Sequence, residues 1–190
     1  MSGEEKKQEA VIRLARPADA EALLAIFAPY VRGGTVSFDS QLPSPAAFRD
    51  KISHILESYP FYVALLAQKP VGYCYASRFR GQNAYDWAVE TTIYLDAACH
   101  GRGIGRQLYQ ALEKTLARQR VIALYACVSA AHRQSIGFHQ RLGYREMARF
   151  ENVGYKMGEW LDIVWLEKRL GPLPQSPAPF IPFSALEASG

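Results

Sequence analysis

The sequence predicts a mixed α/β (α+β) layer fold, a central sheet with helices packed on it. Three observations carry that expectation. Hydrophobic periodicity alternates between strand-like and helix-like along the chain, in the order β, α, α, β, β, β, α, β, α, β, β. A strand, a glycine-rich turn and an amphipathic helix follow one another without interruption in WAVETTIYLDAACHGRGIGRQLY, residues 87–109. Residues 121–128, VIALYACV, form the short apolar run expected of a parallel strand covered on both faces.

The elements follow in order. Residues 1–10 are polar and charged and are expected to form a flexible arm. Residues 11–15 alternate apolar and polar, as an edge strand does. Pro17 and Asp19 open a helix that places Ala22, Leu23, Ile26 and Phe27 on one face and ends near Gly33-Gly34. Thr35-Val36-Ser37-Phe38 then leads into a proline-broken loop, and residues 45–58 form a second helix. Residues 59–66 and 71–78 read as an antiparallel hairpin about a Gln68-Lys69-Pro70 turn, with Tyr73 and Tyr75 on one face because strand side chains alternate. A polar loop spans residues 78–83. Val89, Thr91, Thr92, Ile93, Tyr94 and Leu95 supply the β-branched and apolar content of a central strand.

That strand breaks at residues 96–100. Beyond the glycines, Ile104, Leu108, Ala111, Leu112, Thr115 and Leu116 recur at helical spacing. After the strand at 121–128, residues 131–142 form a short helix stopped by Gly143. Residues 144–150 and 156–166 read as two further strands, a hairpin joined near Gly154. From Gly171 the chain is rich in Pro and Ser and is expected to be an irregular tail suited to packing on a partner subunit. The expected organisation is therefore an arm at 1–10, one domain at 11–170 and a tail at 171–190.

Composition narrows the function. The 190 residues suit one domain with a sizeable core. The net charge of +4 would attract an anionic ligand, but the basic residues are scattered among acids rather than gathered in a stripe, so nucleic acid is not an expected partner. No apolar run is long enough to span a membrane, and the N-terminal residues lack the apolar core of a secretory signal; a cytoplasmic protein is expected. Cys74, Cys99 and Cys127 are odd in number and lack C-x-x-C spacing, which fits a reducing compartment. Cys99, His100, Cys127 and His132 match no zinc-ligand pattern, so no metal is expected.

The turn at Gly101-Arg102-Gly103-Ile104-Gly105-Arg106 is the first candidate site. The opening N–H groups of a helix have no partner within it, and the helix dipole adds positive potential. Glycines let backbone approach a phosphate closely, and Arg102 and Arg106 add charge. The P-loop signature is absent, and the spacing is not that of a dinucleotide fingerprint. The bland alternative is a turn with a glycine cap. Glu90 is the second candidate. It stands in an apolar and aromatic strand, where desolvation raises a carboxyl from about 4.3 toward neutrality and so makes a general base. The alternative for Glu90 is an exposed residue paired with an arginine such as Arg78.

With these residues in view, the chain resembles a known family. His100-Gly101-Arg102-Gly103-Ile104-Gly105, between strand and helix, is similar to the acyl-CoA pyrophosphate loop of the GNAT acetyltransferase superfamily, with His100 where Gln or Arg is usual. Asn83-Ala84-Tyr85-Asp86-Trp87, with Val89-Glu90, resembles the N-A-Y-D-W-x-x-E of its phosphinothricin acetyltransferase branch. Leu108-Tyr109, Ser135, His139, Leu142-Gly143-Tyr144 and Gly154-Tyr155-Lys156-x-Gly158-x-Trp160-x-Asp162 continue the likeness.

The resemblance implies a GNAT fold, a mixed and mostly antiparallel twisted sheet with helices on both faces. It implies acetyl-CoA as cosubstrate, held by the loop residues Gly101 to Arg106, by the backbone of Ile93, Tyr94 and Leu95, and by Ser135 and His132, the last replacing the usual Asn. Glu90 is then the base. His139, standing where most relatives have Tyr, is expected to give a proton to the departing thiolate or to help take one from the amine. Phe38, Tyr75, Arg78, Gln82, Asn83 and Tyr85 are expected to line the acceptor pocket. Phe38 has the alternative of plugging the core. Arg78, Arg80 and Gln82 are the candidates to meet an acceptor carboxylate. The implied reaction is direct transfer of acetyl to the α-amino group of a small amino-acid analogue such as phosphinothricin, methionine sulfoximine or methionine sulfone, with herbicide resistance the associated trait, in a homodimer. The rivals are an acetyltransferase for protein N-termini or polyamines, and a non-catalytic acyl-CoA-binding module.

Overall fold

The structure is a computed structural model that describes residues 9–188; most of the expected N-terminal arm, residues 1–8, lies outside them. Among the described residues the chain forms a seven-stranded sheet in the order β1-β2-β3-β4-β5-β7-β6. The strands are β1 (Val11–Leu14), β2 (Phe61–Leu66), β3 (Lys69–Arg78), β4 (Ala88–Leu95), β5 (Ala123–Ser129), β6 (Arg145–Lys156) and β7 (Glu159–Arg169). Every neighbouring pair is antiparallel except β4 with β5. The helices are α1 (Ala20–Arg32), α2 (Pro45–Ser58), α3 (Ile104–Arg118), α4 (Arg133–Arg141) and α5 (Phe183–Glu187). The element order is the one the periodicity predicts, with α5 added. No helix among the described residues is long and apolar enough to cross a membrane.

Alternation along the strands assigns the helices to two faces. On one face Tyr73 and Tyr75 stack 6.4 Å apart, Phe48 of α2 meets the Tyr73 ring edge-on, and Tyr94 packs against Phe27 and Tyr30 of α1. On the other, the Cys74 thiol bonds the Leu108 carbonyl of α3, and the Tyr62 hydroxyl meets Thr115 of α3. α4 lies on the α3 side, where His139 reaches Tyr109. Local chemistry sets the helix starts. Ser44 caps α2 by accepting from the Ala47 N–H, with Pro45 at the first turn, and Pro17 opens a 3-10 turn that runs into α1.

Two turns sit elsewhere than expected. The β2–β3 turn is Ala67-Gln68, both at positive φ, so Lys69 and Pro70 belong to β3. These dihedrals match the twist of a two-residue hairpin, and Pro70 is tolerated because the register shifts there. The β6–β7 hairpin turns at Met157-Gly158, not near Gly154. Gly154 is paired with Leu161 next to a bulge, and Phe38 lies against the position its Cβ would take.

The tail, expected to be irregular, docks on its own chain. Trp87 Nε1 donates to the Ala178 carbonyl at 2.8 Å, Phe180 packs on Tyr59, and the Ser184 hydroxyl bonds the Glu57 carbonyl of α2. Gln119, fully buried at the end of α3, donates from Nε2 to the carbonyls of Ser58 (2.7 Å) and Ile181 (2.8 Å). Gln119→Ala would leave both carbonyls without that donor, and we expect a loss of roughly 1–3 kcal/mol by urea unfolding. An unchanged midpoint would show that these two hydrogen bonds add nothing to stability.

Candidate active site

β4 and β5 pair in parallel only at Ala88↔Ala123, Val89↔Leu124 and Glu90↔Tyr125. Past Glu90 they part. β4 runs on to Leu95, paired with β3 alone, and β5 runs on to Ser129, paired with β7 alone. At the fork the Thr91 hydroxyl bonds the Tyr125 carbonyl at 3.2 Å. The parting leaves peptide groups on facing strand edges without strand partners, and such groups demand hydrogen bonds.

A cavity of about 730 Å³ fills the fork. Its lining comes from both faces of the sheet. Tyr75, Glu90, Thr92 and Tyr94 contribute from the α1/α2 face; Thr91, Ile93, Phe138 and His139 contribute from the α3/α4 face. The cavity therefore passes between the strands, and a ligand inserted there can meet one approaching from the opposite face.

One end of the cavity is the glycine turn. Gly103 is the N-cap of α3 at φ 81° and offers no capping side chain, so the helix N–H groups stay available. Gly101 has φ 73°. A Cβ at either position would meet nothing within 4 Å, so the space above the turn is open for an anion. Gly101, Gly103, Ile104, Gly105 and Arg106 line the cavity; Arg102 does not. Gly105 has a packing role as well, since a Cβ there would stand 3.0 Å from Phe138 and 3.2 Å from Leu95. Opposite lie His132, the N-cap of α4, and Ser135. The His132 pKa is lowered by burial and by His100, so it is biased to the neutral form, able to offer one N–H. His100 itself meets the Tyr30 hydroxyl at 3.1 Å, and that hydroxyl also donates to the Leu95 carbonyl. Unpaired strand edges suited to a row of amides, ending at open space over a bare helix terminus, fit a phosphopantetheine cosubstrate such as acetyl-CoA.

At the fork stands Glu90. Its pKa is raised by burial, partly opposed by the charge of Arg80, and among the described residues its carboxylate has no hydrogen-bond partner. The pairing with Arg78 does not occur, because Arg78 is held by Asp86 at 2.7 Å and by the Gly81 carbonyl at 3.0 Å. Cys127 also lines the cavity, and its thiol is pushed up to about 11 by burial and by Glu90.

His139 lines the cavity but is 2% exposed. Nδ1 bonds the Ser135 carbonyl and Nε2 the Tyr109 hydroxyl, each at 2.8 Å. A carbonyl only accepts, so Nδ1 carries the hydrogen; Nε2 faces the Tyr109 hydroxyl, whose single proton also has Thr91 Oγ1 as an acceptor at 3.2 Å. Burial lowers the pKa to about 4. Of the two roles expected from the sequence, this disfavours giving a proton to the thiolate; the neutral ring is the form that taking one from the amine requires.

Of the other expected residues, Ile93, Tyr94, Leu95, Phe38 and Tyr75 line the cavity. Arg78, Gln82, Asn83 and Tyr85 do not; Arg78 ends β3, and the others belong to the loop between β3 and β4, where residues 83–85 form a 3-10 turn. Sequence reasoning missed Tyr30, Asp39, Lys51, Thr92 and Cys127, all of which line the cavity. Thr92 was readable by alternation from Glu90. The rest come from distant segments: Tyr30 and Lys51 reach the cavity through the packing of α1 and α2 on the sheet, Asp39 through the loop between those helices, and Cys127 through the pairing of β5. Among the described residues no group of three His, Cys, Asp or Glu side chains is placed to hold a metal ion.

Comparison with known proteins gives the same reading of the architecture. Residues 12–165 match the acetyltransferase (GNAT) domain family. The chain is 31% identical over 186 residues to the phosphinothricin N-acetyltransferase of Streptomyces viridochromogenes, covering 98% of this chain and 100% of that one. It is 31% identical over 171 residues to the L-methionine sulfoximine/L-methionine sulfone acetyltransferase of Pseudomonas paraeruginosa, covering 88% and 99%. Among solved structures, a phosphinothricin acetyltransferase from Sinorhizobium meliloti in complex with AcCoA superposes with a TM-score of 0.83 at 30% identity, over 92% of this chain and 98% of that one. The fold, the forked strands and a family match over most of its length place this chain in the GNAT acetyltransferase family.

Proposed function

We propose that this acetyl-CoA-dependent N-acetyltransferase transfers acetyl to the α-amino group of a small amino-acid analogue of the phosphinothricin or methionine sulfoximine type, by direct attack within a ternary complex. The observation that carries the reading is Glu90, a carboxylate without a hydrogen-bond partner and with a raised pKa, at the point where the cavity passes through the sheet. The named activities of the relatives that span nearly the whole chain support the substrate class.

Acetyl-CoA supplies an activated thioester. The chain's own residues do the rest. The α3 terminus with Gly101, Gly103, Gly105 and Arg106 would hold phosphate, and the edges of β4 and β5 would hold the amide arm. Glu90 takes a proton from the incoming ammonium and frees its lone pair. His139 acts as a positioning residue that fixes α4 against Tyr109 on α3. Arg80 does not line the cavity, but its charge acts on Glu90, which makes it the candidate cation for the acceptor carboxylate. The Cys127 thiol, held protonated, is a poor nucleophile, which favours direct transfer over an acetyl-cysteine.

Initial velocities with both substrates varied test the order of events. Intersecting double-reciprocal lines, with product acetylated at the α-nitrogen, are the expected result; parallel lines would replace direct attack by a covalent route. The same reading includes a homodimer. Tyr155 (65% exposed) and Trp160 (64% exposed) meet edge-on beside the β6–β7 turn, an exposed aromatic pair suited to an interface, and sedimentation at micromolar concentration checks it. A monomer would remove that part of the proposal.

A further inference from the structure

We propose that Lys51 selects acceptors whose side chain carries an anionic group, so that the acceptor half of the cavity suits an amino acid with acidic groups at both ends. The inference rests on the acetyl-transfer reading and adds a specificity residue to it.

Lys51 lies three residues after Phe48 and one before Ile52, beside the buried stripe of α2 that packs on the sheet. A lysine at such a border ordinarily extends its ammonium into solvent. Here it folds back. Nζ stands 4.8 Å from the Tyr75 ring centre and 5.8 Å from that of Phe48, and it donates to the Tyr75 hydroxyl at 2.8 Å. The side chain lines the cavity that Glu90 lines. An ammonium has three donors, and one is used on Tyr75. Lys51 forms no ion pair among the described residues: Asp39 lines the same half, but its carboxylate accepts from the Ser37 hydroxyl. This is a cation at a cavity wall with donors to spare.

The register places it relative to the base. Tyr75 pairs with Thr92 and Arg78 with Val89, so Glu90 lies between the two levels on the Tyr75 face. Two residues of strand separate Thr92 from Glu90, about 7 Å of rise. Arg80 follows the end of β3, and its charge reaches Glu90 from that side. The base is thus flanked by one cation toward Arg80 and another over Tyr75. An acceptor amine at Glu90 can direct its α-carboxylate to the first and a side-chain phosphinate or carboxylate to the second.

Lys51→Met tests this with three acceptors. Phosphinothricin carries both acidic groups, methionine sulfone has a neutral side chain, and the decarboxylated analogue of phosphinothricin keeps only the phosphinate. We expect KM to rise roughly ten- to hundredfold for the two phosphinates, with kcat and the KM for methionine sulfone within about twofold of the parent. Lys51→Arg should restore most of the loss. Equal rises for phosphinothricin and methionine sulfone would show that Lys51 reads the α-carboxylate or only props Tyr75, and would overturn the assignment. So would an unchanged KM for phosphinothricin, or a matching loss of CoA affinity. Calorimetric binding of phosphinothricin to the CoA-loaded protein gives the same comparison without turnover. Lysine-dependent binding in an enzyme that transfers no acetyl would discard the reaction and keep the site; turnover indifferent to Lys51 would do the reverse.

Discussion

Glu90→Gln is expected to lower kcat by roughly 100- to 10,000-fold while leaving the Kd for CoA within about twofold, the range and pattern of a lost general base. Gln keeps the size of the side chain and removes its ability to take a proton. The pH profile makes the test sharper. The wild-type rate should rise with pH as Glu90 deprotonates, on a limb displaced upward from an ordinary carboxyl because burial outweighs the charge of Arg80. That limb should vanish in the variant. Stability should move the other way. A carboxyl whose folded pKa is raised contributes stability that is present at low pH and lost as pH rises through that pKa, so Gln at position 90 should make the fold slightly more stable at neutral pH. Parallel loss of turnover, CoA affinity and stability would mean that Glu90 serves the fold instead.

Gly103→Val is expected to weaken CoA binding about tenfold or more in a calorimetric titration, with kcat at saturation much less affected. Two effects add. At φ 81° a branched L-residue is strained by roughly 1–2 kcal/mol. Its side chain would also enter the open space over the first N–H groups of α3, where no protein atom lies within 4 Å of the Cβ position. The strain should appear as a small loss of fold stability, and because the surroundings are empty of protein atoms the steric effect should fall on the ligand. Unchanged CoA affinity would take the phosphate away from this turn.

The sequence made the strand–turn–helix unit around Gly103 readable because its signals are local. A β-branched run, three close glycines and an apolar helical stripe each have one physical meaning. Glu90 was readable for a similar reason: alternation puts a carboxylate in an otherwise apolar strand. The hairpin turns at Ala67-Gln68 and Met157-Gly158 were misplaced because Ala67, Gln68 and Met157 adopt positive φ without being glycine, whereas Pro70 and Gly154 sent the usual turn signals from inside strands. His139 shows a different limit. Its position was readable, but its protonation follows from the Ser135 carbonyl one helical turn away and from Tyr109, thirty residues earlier. The parting of β4 from β5 leaves no local mark, since it is a register between segments joined through α3. Lys51 reaches the cavity only because α2 packs over Tyr75, and the tail is anchored through Gln119, which reads as an ordinary polar residue near a helix end.

The central claim is that Glu90 and the forked strands bring an amino-acid amine to acetyl-CoA. Release of CoA, followed with a thiol reagent, tests it most directly. The protein would be mixed with acetyl-CoA and, in turn, phosphinothricin, methionine sulfoximine, methionine sulfone, ordinary amino acids, a polyamine and a short peptide. Turnover confined to the first three, abolished by Glu90→Gln, is the predicted result. Turnover with the peptide or polyamine in their place, or turnover that survives the loss of Glu90, would contradict the account.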